Sequence, residues 1–493
     1  MGDQKLSSTS MLSALGLQLI SKYANVAVQL VVSMILARIL TPGEYGTVAI
    51  VTVFTSFFAI LADMGISTAI VQYKDLTKSD YNGLFTFSCL LSLLLAGLFC
   101  LISIPISAIY AETQLVPLCC FASLSVLFNT LNMVPNGILM KERRFKTISL
   151  RLVVVSVLSG MVAVLLALLG CGCYALIWNS IISAALIFLW NWAATKVVPN
   201  NLHFRAPLKR IARFSIYQGG FSIVNYFARN LDNLLVGAVM GSAQLGYYDK
   251  AYKLMQYPLN YLTGIFSSVL QPYLSDYQND KKKLYTSWLS ICRVLAVVGM
   301  LVTAVFVSFP EEIVVLMYGD QWTFAAPALA GLGISVGVQM VNSTSGAIFQ
   351  SSGHTDVLFR SGLICTAVSL VAIGGGVALG SLAALGCAIS VAYLIHFAIT
   401  IYLLVWKVLD VKPVHYLVNF VPAVAAALIS LCVSTAVTNA ASAVLFGTGT
   451  IALRALVLLF VYALVIWITG EYRAFGAFAE MKKIGASNSG KQL

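Results

Sequence analysis

Fourteen stretches of the chain stay apolar for about twenty residues or more, separated by short polar connections. They lie at about 14–38, 42–62, 83–107, 115–138, 147–169, 173–195, 214–239, 250–275, 286–308, 323–349, 357–379, 383–406, 414–436 and 446–469. A helix needs about 20 such residues to cross the hydrocarbon core of a bilayer. The strands of an outer-membrane barrel instead alternate apolar and polar over about ten residues, and these stretches do not. The pattern predicts an all-α polytopic membrane protein with about fourteen transmembrane helices.

Polar positions inside the stretches follow helical faces. Gln18, Lys22, Asn25 and Gln29 share one face of the first span. A shift of 200 residues places Gln218, Ser222, Asn225 and Arg229 on the seventh, with the same spacing, and sets Gly246 where Gly46 stands. Six spans separate the two, so both repeats start from the same side, which predicts a pseudo-two-fold axis along the membrane normal. The expected organisation is an N-lobe over 1–200 with six spans and a C-lobe over 201–412 with six more. The last two spans follow over 413–470 and a cytoplasmic tail over 471–493. The C-lobe would begin with an interfacial amphipathic helix, since Leu208, Ile211 and Ala212 oppose Lys209, Arg210 and Arg213. Thr41-Pro42-Gly43-Glu44 reads as a capping box with Pro at the first helical position, starting the second span sharply.

Composition and charge sharpen the picture. Of 493 residues, 59% are hydrophobic and only 10% charged, against about 25% charged in soluble domains. That excludes a soluble enzyme, a disordered chain and a nucleic-acid binder, although the net charge is +12. The basic residues are sorted by connection. Even-numbered connections hold Lys74 and Lys78; Lys141, Arg143, Arg144, Lys146 and Arg151; Lys196, Arg205, Lys209, Arg210 and Arg213; Lys281, Lys282 and Lys283; Arg360; and Lys407 with Lys412. The odd connections near 110, 171, 315, 381 and 440 hold none. The positive-inside bias then predicts both termini on the cytoplasmic side, as an even number of spans requires. The first stretch contains Lys22 and is too long for a signal core, so it is expected to stay as a helix. The ten cysteines lie in or beside spans without zinc-like spacing and read as small core residues.

No metalloprotease, nucleophile-elbow or phosphate-loop motif occurs, and the four histidines are far apart. No cofactor or metal is implied. Charge inside the membrane is what stands out, because a central Lys, Arg or Asp costs about 2.5–3.5 kcal/mol on insertion scales. Lys22, Asn25 and Gln29 of span 1 are expected to line a wet, mainly cationic cavity. Asn225, Arg229 and Asp232 of span 7 would face it, with Lys250, Lys253, Gln256 and Asn260 of span 8. Asp232 is one turn from Arg229 and could pair with it, while Arg293 and Arg454 read as more isolated. Such a cavity suits a phosphate-bearing substrate, since ammonium and guanidinium groups stabilise an anion that has left water.

The chain also resembles the Wzx-type polysaccharide flippases of the multidrug/oligosaccharidyl-lipid/polysaccharide exporter superfamily, in the branch for colanic or teichuronic acid units. The carrying stretches are Leu36-Ala-Arg38-Ile-Leu-Thr-Pro-Gly-Glu-Tyr-Gly46, Asp63-Met-Gly65-Ile with Ile70-Val-Gln72, and Met140-Lys-Glu-Arg-Arg-Phe145. Asn230-Leu-Asp232-Asn-Leu-Leu-Val-Gly237, Leu245-Gly-Tyr-Tyr-Asp-Lys-Ala-Tyr252, Gln271-Pro-Tyr-Leu-Ser275 and Gly319-Asp-Gln-Trp322 complete them. The resemblance implies two six-helix lobes plus two added helices in the cytoplasmic membrane of a bacterium. It implies an anionic lipid-linked oligosaccharide as cargo, carried on polyprenyl pyrophosphate and flipped outward by alternating access. Membrane lipids, and H+ or Na+ as a coupling cation, would be the further partners. Two other readings compete. A multidrug efflux carrier of the same superfamily would want an acidic cavity. A membrane polymerase or ligase would need a large outer loop with catalytic residues, whereas 309–322 offers only Glu311, Glu312 and Asp320.

Overall fold

The computed structural model describes residues 8–199, 204–275, 280–441, 448–474 and 476, with side chains from Ile20 onward except for some in 205–275. The described residues are helices and short turns, without a strand. Every stretch read as a span is helical where described. In chain order they are α1 (Ser8–Ile39), α2 (Pro42–Asp63), α3 (Ile66–Gln72), α4 (Lys78–Tyr110), α5 (Leu115–Lys141), α6 (Phe145–Leu168) and α7 (Cys173–Thr195). Then come α8 (Arg205–Met240), α9 (Ser242–Ser275), α10 (Lys281–Ser308) and the short α11 (Pro310–Tyr318). The segments α12 (Ala326–Gly333), α13 (Val336–Asn342) and α14 (Ser345–Ser351) follow, and after them α15 (Thr355–Ala378) and α16 (Leu382–Thr400). The chain ends with α17 (Pro413–Leu417), α18 (Val421–Ala441) and α19 (Thr448–Thr469).

Among the described residues, eleven helices are long and apolar enough to cross a membrane, twelve if one bent pair counts as a span. The long helices α8 and α9, of 36 and 34 residues, have ample reach at about 1.5 Å per residue. They carry the intramembrane charges picked out above. The protein is a multi-pass, all-helical membrane protein.

Local chemistry explains the helix starts. Thr41 caps α2 with Pro42 behind it, its N–H donating to the Glu44 carboxylate at 2.7 Å while the Glu44 N–H returns to the Thr41 hydroxyl at 3.3 Å. Thr77 and Asp80 build the same reciprocal cap on α4. The second span is longer than expected. It breaks at Met64 and Gly65, both left-handed with φ of 36° and 76°, and resumes as α3. Asp63 accepts from the Ser67 N–H at 3.2 Å, capping the resumed helix.

The tenth span is not the single helix its hydropathy suggests. It is a 3₁₀ turn at Asp320–Ala325 followed by α12, α13 and α14, with a bend of 48° between Asp320–Gly333 and Val336–Ser351. A break frees backbone carbonyls, which cannot stay unpaired in hydrocarbon. The Ser390 hydroxyl from α16 donates to the Gly331 carbonyl at 2.6 Å, and the Ser335 hydroxyl donates to Leu332 at 3.1 Å. Span 12 likewise ends in a π-helical stretch over Ile401–Val408. Of the three glycines at 374–376, only Gly376 meets close packing; a Cβ there would stand 2.8 Å from the Leu385 Cα.

The chain divides into two compact units. One holds residues up to Asp249 with Met317–Gln321; the other holds Lys250–Leu316 and Trp322 onward. In the first, α4 and α5 pack side by side, α1 lies on α6, and α5 and α6 both lie on α7. Helix α8 packs across α2, α3 and α4, with the Tyr226 hydroxyl on the Val53 carbonyl and the Tyr110 hydroxyl on Leu234 at 3.3 Å. The segment expected to form a separate interfacial helix is the beginning of α8. Ile211 there is fully buried with Ile66, Ile70, Leu84 and Met133, and Leu208 packs against them. In the second unit α10 packs on α12, α13 and α18, while α16 joins α12 to α15, and α18 and α19 form the last hairpin.

Candidate functional site

In the first unit the polar stripe of α1 is divided by its neighbour. Lys22 and Gln29 are exposed, but Asn25 is buried and accepts a hydrogen bond from Ser156 of α6. Asn25 therefore fixes how α1 lies on α6. The stripe of α8 divides in the same way. Asn225 and Arg229 are exposed. Asp232 is only 4% exposed and accepts from the Tyr248 hydroxyl at 2.7 Å and the Asn233 N–H at 2.8 Å. The Arg229–Asp232 pair considered from sequence does not form among the described ion pairs. Asp232 instead ties α8 to the start of α9, because a buried carboxylate needs donors and Tyr248 supplies one.

In the second unit the four residues of α9 also part company. Lys250 is 2% exposed, with its ammonium 5.6 Å from the centre of the fully buried Trp322 ring. Its ammonium is thus held inside the second unit and is not reaching out to solvent. Lys253 and Asn260 are exposed and Gln256 is half-buried, with Asn260 donating to Gln256 at 3.1 Å. A groove of about 570 Å³ in the first unit, between α1 and α6, is lined by Val31, Val32, Ile35, Val157, Met161 and Leu165 among others, and by none of the ten residues.

The partners of four polar residues escaped the sequence reading. Arg151, counted above with a cytoplasmic connection, lies inside α6, 7% exposed. It donates to the Asn191 side chain of α7, which in turn donates to Asn132 of α5 at 2.7 Å. Span 5 is read from residue 147, so the arginine's place in it, and the asparagines inside two apolar spans, are the available signals. Arg293 is not isolated: it forms a two-pronged ion pair with Glu471, 6% exposed, at 2.8 and 3.1 Å. Nothing local links residues 178 apart in sequence. Gln321 donates to the carbonyls of Ala37 at 2.5 Å and Leu40 at 3.1 Å, closing the end of α1. That gives the Gly319-Asp-Gln-Trp322 stretch a structural cause. The Arg454 guanidinium lies 5.3 Å from the Phe309 ring centre. Among the described residues no group of three or more His, Cys, Asp or Glu could hold a metal ion.

Comparison with known proteins places this arrangement. The chain is 24% identical over 368 residues, 74% of each chain, to the succinoglycan biosynthesis transport protein ExoT of Rhizobium meliloti. It is 23% identical over 374 residues to the lipopolysaccharide biosynthesis protein WzxC of Escherichia coli, covering 73% of this chain and 75% of that one. Its fold is similar to that of the lipid II flippase MurJ in an inward closed conformation, with a TM-score of 0.72 at 14% identity, covering 91% of this chain and 98% of that one. The profile of a family described as polysaccharide biosynthesis protein matches residues 35–327. With well over half its length matched, the chain belongs to that family of polysaccharide biosynthesis proteins, as its Wzx-type resemblance implied.

Proposed function

We propose that the protein flips an oligosaccharide linked to polyprenyl pyrophosphate from the cytoplasmic to the outer leaflet, by alternating access, for cell-surface polysaccharide assembly. The observation that carries this reading is the family match, joined to a fold that follows a lipid II flippase over 91% of the chain. A transport protein of succinoglycan biosynthesis among the relatives supports it, and the polysaccharide family favours it over drug efflux. In this reading fourteen spans put both termini in the cytoplasm, the lobes follow the expected boundaries near 200 and 412, and H+ or Na+ drives the cycle.

In the first unit Lys22, Gln29, Asn225 and Arg229 are exposed, and in the second Lys253 and Asn260; in this reading each unit offers its own cations and amides to the headgroup. Gln256 orients Asn260, while Asn25, Asp232 and Lys250 hold the helices that carry them. The cations would take the pyrophosphate because charge-assisted hydrogen bonds to an oxyanion are about twice as strong as neutral ones. The direct test is reconstitution with a fluorescent lipid-linked oligosaccharide placed in one leaflet of a proteoliposome. The expected result is protein-dependent appearance of the label in the opposite leaflet. Vesicles that carry the folded protein yet keep the label where it started would overturn the reading.

A further inference from the structure

We propose that Tyr402, Trp406 and Lys407, at the end of span 12 in the second unit, form a headgroup site for an anionic phospholipid. The site starts from the backbone. Over Ile401–Val408 the helix widens to a π-helix, and the Leu409 N–H reaches back five residues to the Leu404 carbonyl at 2.9 Å. In an α-helix Tyr402 and Lys407 would stand about 140° apart around the axis. In a helix bonded over five residues they return to one face, beside Trp406. The Lys407 ammonium accordingly lies 5.7 Å from the Tyr402 ring centre and 5.1 Å from that of Trp406. The two rings meet edge to face, with 5.3 Å between their centres.

Both rings are nearly half exposed and Lys407 is exposed, so the group lies open on the surface. No carboxylate pairs with Lys407 among the described ion pairs. Asp410, its nearest acidic residue in sequence, stands exposed at a left-handed turn of the backbone. Helix α17 packs on the π-helical stretch and follows exposed Lys412, which adds a cation at the same end of the unit. The positive-inside bias assigns this connection to the cytoplasm, where anionic lipids give the leaflet a negative surface. Tyr and Trp rings suit headgroup depth, with an apolar body toward the chains and a polar tip toward water. The rings face part of the ammonium and leave N–H donors for phosphate oxygens. One ammonium matches the single charge of a phosphodiester, as on phosphatidylglycerol, rather than the several charges of a pyrophosphate.

The test maps where a lipid sits. Purified full-length protein is placed in phosphatidylcholine nanodiscs with a trace of photoreactive phosphatidylglycerol, or of photoreactive phosphatidylcholine bearing the same diazirine chain. Mass spectrometry after illumination locates the adducts. The phosphatidylglycerol probe is expected to label residues 402–407 about fivefold more than the phosphatidylcholine probe, the preference one lysine gives at a membrane surface. Lys407→Gln should remove that preference and Lys407→Arg keep it. Trp406→Leu, which retains the charge and loses one ring, should lower it at least about twofold. An excess of farnesyl pyrophosphate should leave the labelling in place. Equal labelling by the two probes, or a preference that either Lys407→Gln or Trp406→Leu leaves unchanged, would overturn the site. Displacement by farnesyl pyrophosphate would give the patch to a pyrophosphate-bearing lipid and overturn the phospholipid assignment.

Discussion

Gly46 and Gly246 face each other across one helix crossing. A Cβ on Gly246 would stand 3.2 Å from the Gly46 nitrogen and run into the Pro42 carbonyl, and a Cβ on Gly46 would run into the carbonyl of Ser242. The contact is reciprocal: 46 meets 242 and 246 meets 42, and a shift of 200 residues, the sequence repeat, exchanges one pair with the other. That is what an axis relating residue n to n + 200 produces. The crossing is so tight that only glycine fits, because any side chain would have to displace backbone.

Replacing either glycine should therefore part the starts of α2 and α9. Gly246→Val is expected to abolish export and to raise the reactivity of a cysteine introduced at Ser242 toward an impermeant thiol reagent. Overpacking at such a site also lowers stability, by about 1–3 kcal/mol. Unchanged labelling together with unchanged export would show that the crossing can open without consequence.

Arg229 is exposed in mid-helix while its neighbour Asp232 is committed to Tyr248. Arg229→Ala should abolish polymer export at normal membrane levels. If the guanidinium holds an oxyanion, the loss is about 1.5–3 kcal/mol of binding, a tenfold to hundredfold effect. Arg229→Lys should recover part of it. Export by the alanine variant at the wild-type rate would remove Arg229 from the substrate path.

The Arg293–Glu471 pair binds α10 to the residues just after α19, beside the Tyr462 hydroxyl on the Val297 carbonyl at 2.5 Å. Glu471→Ala should lower stability by about 2 kcal/mol, less than the 3–5 of a fully buried pair because Arg293 is a third exposed. Removing both charges, with Arg293→Met and Glu471→Leu, should restore most of it. Thermal unfolding in detergent measures the cycle, and a double variant weaker than either single one would contradict the pairing argument.

Orientation is open to a direct check. Lys281, Lys282 and Lys283 begin α10, and the positive-inside bias assigns that end to the cytoplasm. A cysteine at Lys281 should resist an impermeant reagent added to intact cells and react after permeabilisation. Labelling in intact cells would invert the topology.

Hydropathy located the long helices but not the short α3 and α11, because a bilayer demands a run of apolar residues and a long helix satisfies its own backbone. It also caught the Thr41–Glu44 cap and the 46/246 match, both of which depend on neighbours in sequence or on internal similarity. The pairing of polar groups was beyond its reach. Periodicity placed Asn25 and Asp232 on helix faces but could not say that Ser156 and Tyr248 would meet them. It drew span 10 as continuous because hydropathy averages over the break that Ser390 stabilises. The chain's chemistry determined a membrane-embedded helical bundle; which charges are spent inside it, and which stay exposed, was decided only by helices distant in sequence coming into contact, since a buried polar group takes its role from the partner that reaches it.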